Sequence, residues 1–352
     1  MLTLELYTIF FTLSSTVTVR TIYENKFFLN GFFFIRGYVI IFYMSKIIVT
    51  GGAGFIGSTL VDQLIEQGNE VVVIDDLSSG RRDYLNPAAK FYEVDICSPD
   101  LAKIFAAEKP EFVYHLAAQI EVPKSMLNPI HDNNVNVLGG LNILVNCREY
   151  GVKKIIFSST GGAIYGDAEE IPTTESYPPY PVSFYGIHKL TFEKYLNCYY
   201  QVYGLDYTIL RFANVYGPRQ FKGGEAGVIS IFVDNAVKGL MSKQYGDGQQ
   251  TRDFVYIDDV VRALIFAKDI TCHGELNIGS GLESSLLDIR RDIEKALGAA
   301  MAVTEEPAKP GEQRRSCLSY KRAQDVLNWQ PEIGLEEGVK RTINWAKKAI
   351  NN

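Results

Sequence analysis

From residue 44 onward the chain alternates two hydrophobic patterns. Short β-branched apolar runs give way to longer stretches in which apolar residues recur every three or four positions. Lys46–Thr50 is a run of the first kind, and Leu60, Val61, Leu64 and Ile65 carry the second. The pattern predicts a strand over Glu70–Ile74 that ends at Asp75, and a strand over Lys90–Val94 that ends at Asp95. It then predicts a helix over Leu101–Glu108, a strand over Phe112–Leu116, a helix over Val135–Tyr150 and a strand over Lys154–Ser158 that leads into Ser159 and Thr160. A further helix is expected over Ser183–Tyr203. Strands that alternate with helices pair in parallel, so the expected class is α/β with helices covering the sheet.

Residues 1–43 break this rhythm, being crowded with Phe, Tyr, Leu and Ile and lacking clear periodicity or capping signals. A signal or membrane anchor, a structured extension, and upstream sequence translated from an early start codon are the competing readings. Asn30, Gly31 and Arg36 interrupt the apolar stretch, which falls short of the roughly 20 clean apolar residues a bilayer requires. Met1–Val19 lacks a basic start and a small-residue cleavage site. The expectation is therefore a non-native or disordered leader over 1–43, with the working chain starting at Met44, and no membrane partner.

Composition narrows the function. A chain of 352 residues, 47% hydrophobic and 22% charged, buries one large core or two smaller ones. Its net charge of −6 gives no broad basic surface, so nucleic acid is not an expected partner. Cys97, Cys147, Cys198, Cys272 and Cys317 form no C-x-x-C pair, and His115, His131, His188 and His273 form no ligand-spaced cluster. No metal is expected, and the cysteine usage suits a reducing, cytoplasmic setting.

The chemistry begins between the first strand and first helix, where Gly51-Gly52-Ala53-Gly54-Phe55-Ile56-Gly57 stands. Gly51 permits a tight turn, Gly54 lets backbone N–H groups approach a pyrophosphate, and Gly57 allows close helix–strand packing. Asp75, closing the second strand, is placed to accept the two ribose hydroxyls of an adenosine, which prefers NAD over NADP. Arg81 and Arg82 pull the other way, since a guanidinium pairs readily with a 2'-phosphate. These features specify a Rossmann-type doubly wound parallel sheet; the remainder of the chain is expected to form a smaller C-terminal α/β substrate domain. Asp95 is expected near the adenine, and the Leu116-Ala117-Ala118-Gln119 turn near pyrophosphate and ribose. Thr160, at a strand end, is expected to touch substrate.

Tyr185 and Lys189 stand four apart at the front of a helix and so share one face. A phenol is a weak base at neutral pH, and the neighbouring ammonium favours phenolate. Alone the pair is weak evidence. Behind a dinucleotide turn and a hydroxyl-bearing strand end, it becomes a candidate base, cation and donor around a nicotinamide.

At this point the chain resembles the extended short-chain dehydrogenase/reductase family, and within it the nucleotide-sugar epimerases of the UDP-glucose 4-epimerase kind. The likeness runs from Met44 to about Trp345. Its markers are the Thr50–Gly57 turn, Asp75–Gly80, His115–Ala118, Phe157–Gly166, Tyr185–Lys189, Leu210–Pro218 and Arg252–Val260. The resemblance implies that Tyr185 takes the proton from a sugar 4-hydroxyl while hydride passes from C4 to NAD. Thr160 would bond the same oxygen and Lys189 the nicotinamide ribose, and the 4-keto sugar would turn over before hydride returns.

It further implies cofactor contacts from Phe55, Ile56, Asp76, Leu77, Ser79, Gly80, Asp95, Ile96, Gln119 and Asn134. Substrate contacts would come from Asn214, Val228, Tyr245 and Arg252, the last as pyrophosphate clamp rather than as an ion pair with Asp253 or Asp258. Lys309–Glu312 resembles the segment that closes over the uridine, with Lys309 where family members often carry Arg. Ser316 replaces a bulky Tyr of some epimerases, leaving space for a C2 N-acetyl group. Family members commonly pair through helices into a homodimer, for which Ser183–Tyr203 is a candidate, although its apolar positions equally suit an internal core.

The related 4,6-dehydratases place Asp-Glu directly after the strand-end Thr, where this chain has Gly161 and Gly162. UDP-glucuronate epimerase or decarboxylase activity stays open. A non-catalytic NAD-binding scaffold or sensor would be expected to lose the Tyr or the Lys, and both are kept. The expected division is a NAD-binding domain over 44–212 plus 253–279, and a substrate domain over 213–252 plus 280–352.

Overall fold

A computed structural model describes residues 28–29, 32–35, 38–41, 44–220, 227–308 and 313–351, and the chain divides into two units, Met1–Tyr43 and Met44–Asn352. Within the first unit β1 (Phe28–Leu29), β2 (Phe32–Ile35) and β3 (Tyr38–Ile41) form a small antiparallel sheet, with Phe28 opposite Phe33 and Phe32 opposite Ile41. Their aromatic and β-branched residues have the composition that pleated backbone favours.

The second unit opens with β4 (Lys46–Thr50), α1 (Phe55–Glu66), β5 (Glu70–Asp75) and a 3-10 turn at Arg82–Tyr84. There follow β6 (Lys90–Glu93), α2 (Leu101–Glu108), β7 (Phe112–His115), α3 (Val122–Leu127) and α4 (Pro129–Asn133). A π-helical stretch over Asn134–Gly139 runs into α5 (Gly140–Glu149), β8 (Lys154–Thr160) and the short α6 (Gly161–Ile164). The long α7 (Phe184–Tyr203) precedes β9 (Asp206–Phe212), β10 (Asn214–Tyr216), α8 (Val228–Val237), β11 (Ser242–Tyr245) and β12 (Thr251–Tyr256). The chain continues through α9 (Ile257–Lys268), β13 (Glu275–Ile278), β14 (Glu283–Ser285), α10 (Leu286–Leu297) and β15 (Val303–Glu306) to α11 (Lys321–Leu327) and α12 (Leu335–Asn351).

Seven strands form one parallel sheet in the order β13-β9-β8-β7-β4-β5-β6. This is the doubly wound α/β architecture. Successive residues of its central strands serve opposite faces: Ile47 and Val49 join one core, while Ile48 joins the other. A strand buried on both sides therefore reads as a continuous apolar run. One core packs α1 and α9 against the sheet through Leu60, Leu64, Val260 and Leu264, and the other packs α2, α5 and α7 through Phe105, Leu144 and Phe192.

Beyond one-residue shifts at strand ends, the structure departs from expectation in the following places. The predicted helix over Val135–Tyr150 starts as a π-helical stretch that continues α4. Strand β8 runs two residues further than expected because Ser159 and Thr160 keep pairing with Arg211 and Phe212 of β9. The segment returning after Asp253 rejoins the large sheet only through β13, whereas β12 sits in a second, three-stranded sheet between β10 and β14.

Candidate active site

Chain order reverses at β4, whose neighbours are β5 on one side and β7 on the other. Loops leaving such a switch point diverge and open a crevice at the strand ends. Gly51 makes the first turn at φ +71°, with its N–H on Ile74 O at 2.9 Å, and a Cβ there would stand 2.6 Å from Ala117 N. A Cβ on Gly57 would stand 2.0 Å from Gly51 O, so glycine alone lets α1 close onto the turn. Gly54 caps α1 without a side-chain bond, leaving first-turn N–H groups for phosphate oxygens.

Asp75 is buried at the end of β5, where its carboxylate accepts the N–H of Ala53 at 2.9 Å and of Leu77 at 2.8 Å. Burial raises its pKa and those two bonds oppose the rise. Arg81 forks onto Asp83 at 2.9 and 2.8 Å, and Arg82 pairs with Glu93. Both guanidiniums are thus turned onto carboxylates, which favours a ribose diol over a 2'-phosphate beside Asp75.

The crevice is a cleft of about 630 Å³. Gly51, Gly54, Phe55, Ile56, Gly57, Asp75, Asp76, Leu77, Ser79, Gly80, Asp95, Ile96, Leu116, Ala117 and Ala118 line one part of it, and Thr160, Tyr185, Lys189, Asn214 and Arg252 line the rest.

Other expected residues stand elsewhere. Gln119 does not line the cleft: its amide donates to Asp132 Oδ1 and Glu121 O and accepts from Glu121 N. Asn134 opens the π-helical stretch and its carbonyl accepts Cys97 Sγ–H at 3.3 Å. Val228 begins α8 between two lining residues, Gly227 and Ile229, and Tyr245 closes β11, its carbonyl held by Gln250. Ser316 does not line the cleft but is buried in a separate small cavity with Gly161, Tyr165, Arg315 and Leu318. Lys309 and Glu312 lie outside the described residues. Among lining residues that sequence reasoning missed, Ser158 follows from the strand-end rule, whereas Tyr84 and Arg219 sit in turns with no periodic signal.

The catalytic candidates are fixed from three directions. Ser183 caps α7 by accepting the Gly186 N–H at 3.2 Å, and the Tyr185 N–H donates to Ser125 Oγ at 3.1 Å. Lys189 is buried, donates to Ser158 O at 3.0 Å, and holds its ammonium 4.8 Å from the Phe157 ring and 5.9 Å from the Tyr185 ring. One turn further, Glu193 accepts Ser159 Oγ–H at 2.6 Å and a bidentate Arg211 at 3.0 and 2.5 Å. Arg211 also donates to Tyr165 OH at 2.9 Å, which donates to Asn277 at 2.8 Å. Behind Lys189, His115 Nδ1 lies 2.8 Å from Thr50 Oγ1. Burial, aided by the Lys189 charge, pulls the imidazole down to about 3.

Arg252 points an Nη1 donor at Thr251 O, 2.8 Å away, within the cleft wall. The alternative ion pairs are not formed as envisaged: Asp253 accepts from Ser280 N and Oγ, Gly281 N and Leu318 N, and Asp258 faces Arg341 at 3.7 Å.

A sequence profile of the NAD dependent epimerase/dehydratase family matches residues 47–279. The chain belongs to that family. It is 43% identical over 306 residues to the UDP-glucose 4-epimerase of Mycolicibacterium smegmatis, a match covering 85% of this chain and 98% of the relative. The Thermotoga maritima UDP-glucose 4-epimerase structure with UDP-glucose superposes with a TM-score of 0.85 at 45% identity, covering 87% and 99% of the two chains. The Thermus thermophilus UDP-glucose 4-epimerase complex with NAD gives 0.83 at 40%, covering 86% and 99%.

The cofactor of this NAD dependent epimerase/dehydratase family member is NAD, and the residues fit it. The buried carboxylate of Asp75 faces a small Ala53 and Gly80, and the glycine turn presents backbone donors where no side chain would fit. Among the described residues no cluster of His, Cys, Asp and Glu is arranged to hold a metal ion, and no helix is long and apolar enough to cross a membrane.

Proposed function

We propose that this chain is an NAD-dependent 4-epimerase of a UDP-hexose, interconverting UDP-glucose and UDP-galactose through a transient 4-keto sugar. The observation that carries the reading is that Thr160, Tyr185 and Lys189 line the same cleft as the glycine turn and Asp75. NAD, held by the glycine turn and Asp75, would supply the hydride acceptor and donor for C4 when bound. Tyr185 removes the 4-hydroxyl proton and gives it back, Thr160 bonds the same oxygen, and Lys189 holds the nicotinamide ribose while its charge favours phenolate. The other residues named above for cofactor and sugar nucleotide keep those proposed roles, with Arg252 on the diphosphate.

Elimination of water needs a further acid and base after Thr160. Gly161 has no room for one, since a Cβ there would stand 2.3 Å from Leu318 Cδ1. This supports epimerase over 4,6-dehydratase. Acceptance of a C2 N-acetyl group is proposed from the small side chain of Ser316 alone; the cavity it lines has room for about one water and would have to widen toward the cleft. Leu138 and Val145 on the α5 side, with Ile187, Tyr195 and Val202 on α7, are exposed at roughly two-turn spacing and support a homodimer paired through these helices. The NAD domain is assigned to 44–212 plus 253–279 and the substrate domain to 213–252 plus 280–352. Five free cysteines support a reducing, cytoplasmic setting.

The test is direct. Purified chain incubated separately with UDP-galactose, UDP-N-acetylgalactosamine and UDP-glucuronate, followed by NMR, is expected to convert UDP-galactose to a mixture with UDP-glucose. Unaltered UDP-galactose, with either other sugar epimerised or decarboxylated, would replace the substrate assignment.

A further inference from the structure

Arg219 belongs to the Gly217-Pro218-Arg219 turn that follows β10, yet its side chain reaches across to the nucleotide half. Its Nη2 pairs with Asp62 Oδ2 on α1 at 2.7 Å, and its guanidinium lies 5.7 Å from the centre of the Tyr84 ring, the ring that Arg81 also approaches, at 5.3 Å. Asp62 is itself steadied by the Asn86 amide at 2.8 Å. Three features set this residue apart from a surface ion pair. Its backbone sits at φ +71°, a left-handed conformation that side-chain-bearing residues avoid unless the surroundings impose it. Its Nη1 is buried with no hydrogen-bond partner among the described residues. And it lines the cleft, together with Tyr84 and Arg81. A buried guanidinium donor left unmade is costly, so its place in the wall of an anion-binding cleft indicates what it is for.

We propose that Arg219 is a cofactor-retaining clasp: with Nη2 anchored on Asp62, Nη1 donates to a phosphate oxygen of the dinucleotide. The same donor would suit the diphosphate of a sugar nucleotide, but both anchors favour the cofactor. Asp62 lies on the helix that opens at the glycine turn, and Tyr84 lies in the turn that follows Asp75 and Gly80. The clasp thus ties a loop of the substrate half to the nucleotide half across the mouth of the site. The inference rests on NAD occupying the cleft.

The experiment measures NAD affinity of the NAD-stripped full-length protein by calorimetry, and the KM for UDP-galactose at saturating NAD. A charge-assisted hydrogen bond sets the scale, so Arg219→Met is expected to weaken NAD binding about ten- to a hundredfold. Its KM is expected to stay within about twofold, because the diphosphate of the sugar is held elsewhere. Asp62→Asn keeps the guanidinium but removes its anchor, and is expected to weaken NAD several-fold; it serves alone if the Arg219 variant does not fold. Unchanged NAD affinity in the variants overturns the clasp. A raised KM with unchanged NAD affinity overturns it in favour of the sugar nucleotide. A wild-type chain that binds no NAD overturns instead the dinucleotide reading underneath.

Discussion

The two walls of the cleft hold their ligands by different means. On the cofactor wall, turn, helix start and strand end all come from one βαβ unit, and the groups offered are largely backbone: the α1 N–H groups, and the Ala53 and Leu77 amides that orient Asp75. On the opposite wall stand β10 and β12, and β12 is braced from behind by the turn at Ser280–Gly281 and the stretch at Cys317–Leu318, segments far apart in the chain. A single buried carboxylate, Asp253, gathers them. Glu193, buried on α7, answers a guanidinium, whereas the bonds drawn to Asp253 come from neutral donors, and burial raises the Asp253 pKa. One wall is therefore written locally, and the other depends on long-range bracing.

That contrast can be broken, or sharpened, by three measurements. The largest effect is expected from Tyr185→Phe, which should lower kcat by about a thousandfold while the protein still binds NAD, since proton transfer by a positioned group contributes on that order. Turnover within tenfold of wild type would remove the phenol from the chemistry and leave the cofactor wall a binding surface only. Next comes Asp253→Asn. One amide oxygen cannot accept from four donors, and the new N–H₂ would oppose some of them, so a loss of about 2–4 kcal/mol in denaturant unfolding is expected. The KM for the sugar nucleotide should rise more than the Kd for NAD, because Arg252 adjoins the brace. Unfolding unchanged by this variant would mean that the second wall does not depend on its central carboxylate.

The smallest effect concerns His115. Its folded-state pKa of about 3 lies below the ordinary 6.5, so the unfolded chain takes up the proton first as pH falls. Stability from the neutral buried ring is complete above about 6.5 and is lost toward about 3. Between pH 6 and 5 the loss should be about 1 kcal/mol, and His115→Gln should show a shallower slope. Parallel slopes for both proteins would place the acid sensitivity elsewhere.

What could be read before the structure follows the same division. Strands buried on both faces announce themselves as apolar runs, and a glycine forced by backbone approach, such as Gly57, is visible because no other residue fits. The Asp75 assignment rested on its position at a strand end, which the parallel register preserves. Legibility failed where partners are distant or local chemistry competes. Nothing local foretells that the amide of Gln119 bonds Asp132 and Glu121. Arg219 carries no periodic or motif signal, and only the folded chain reveals what its guanidinium faces. Asp253 entered the sequence reading only as a disfavoured ion-pair partner for Arg252, and its bracing of backbone from beyond residue 279 carries no local signal.

Tyr185, Lys189 and Glu193 follow one another at single-turn spacing along α7, and the last of them is locked to Arg211 in the core. An α-helix that slips by one residue rotates its side chains by about 100°. Such a slip would leave both buried charges without their counterpart, a penalty of about 3–5 kcal/mol. The helix consequently has one permitted azimuth, and the direction of the Tyr185 phenol is indexed from two turns away by Glu193 and Arg211 in the core.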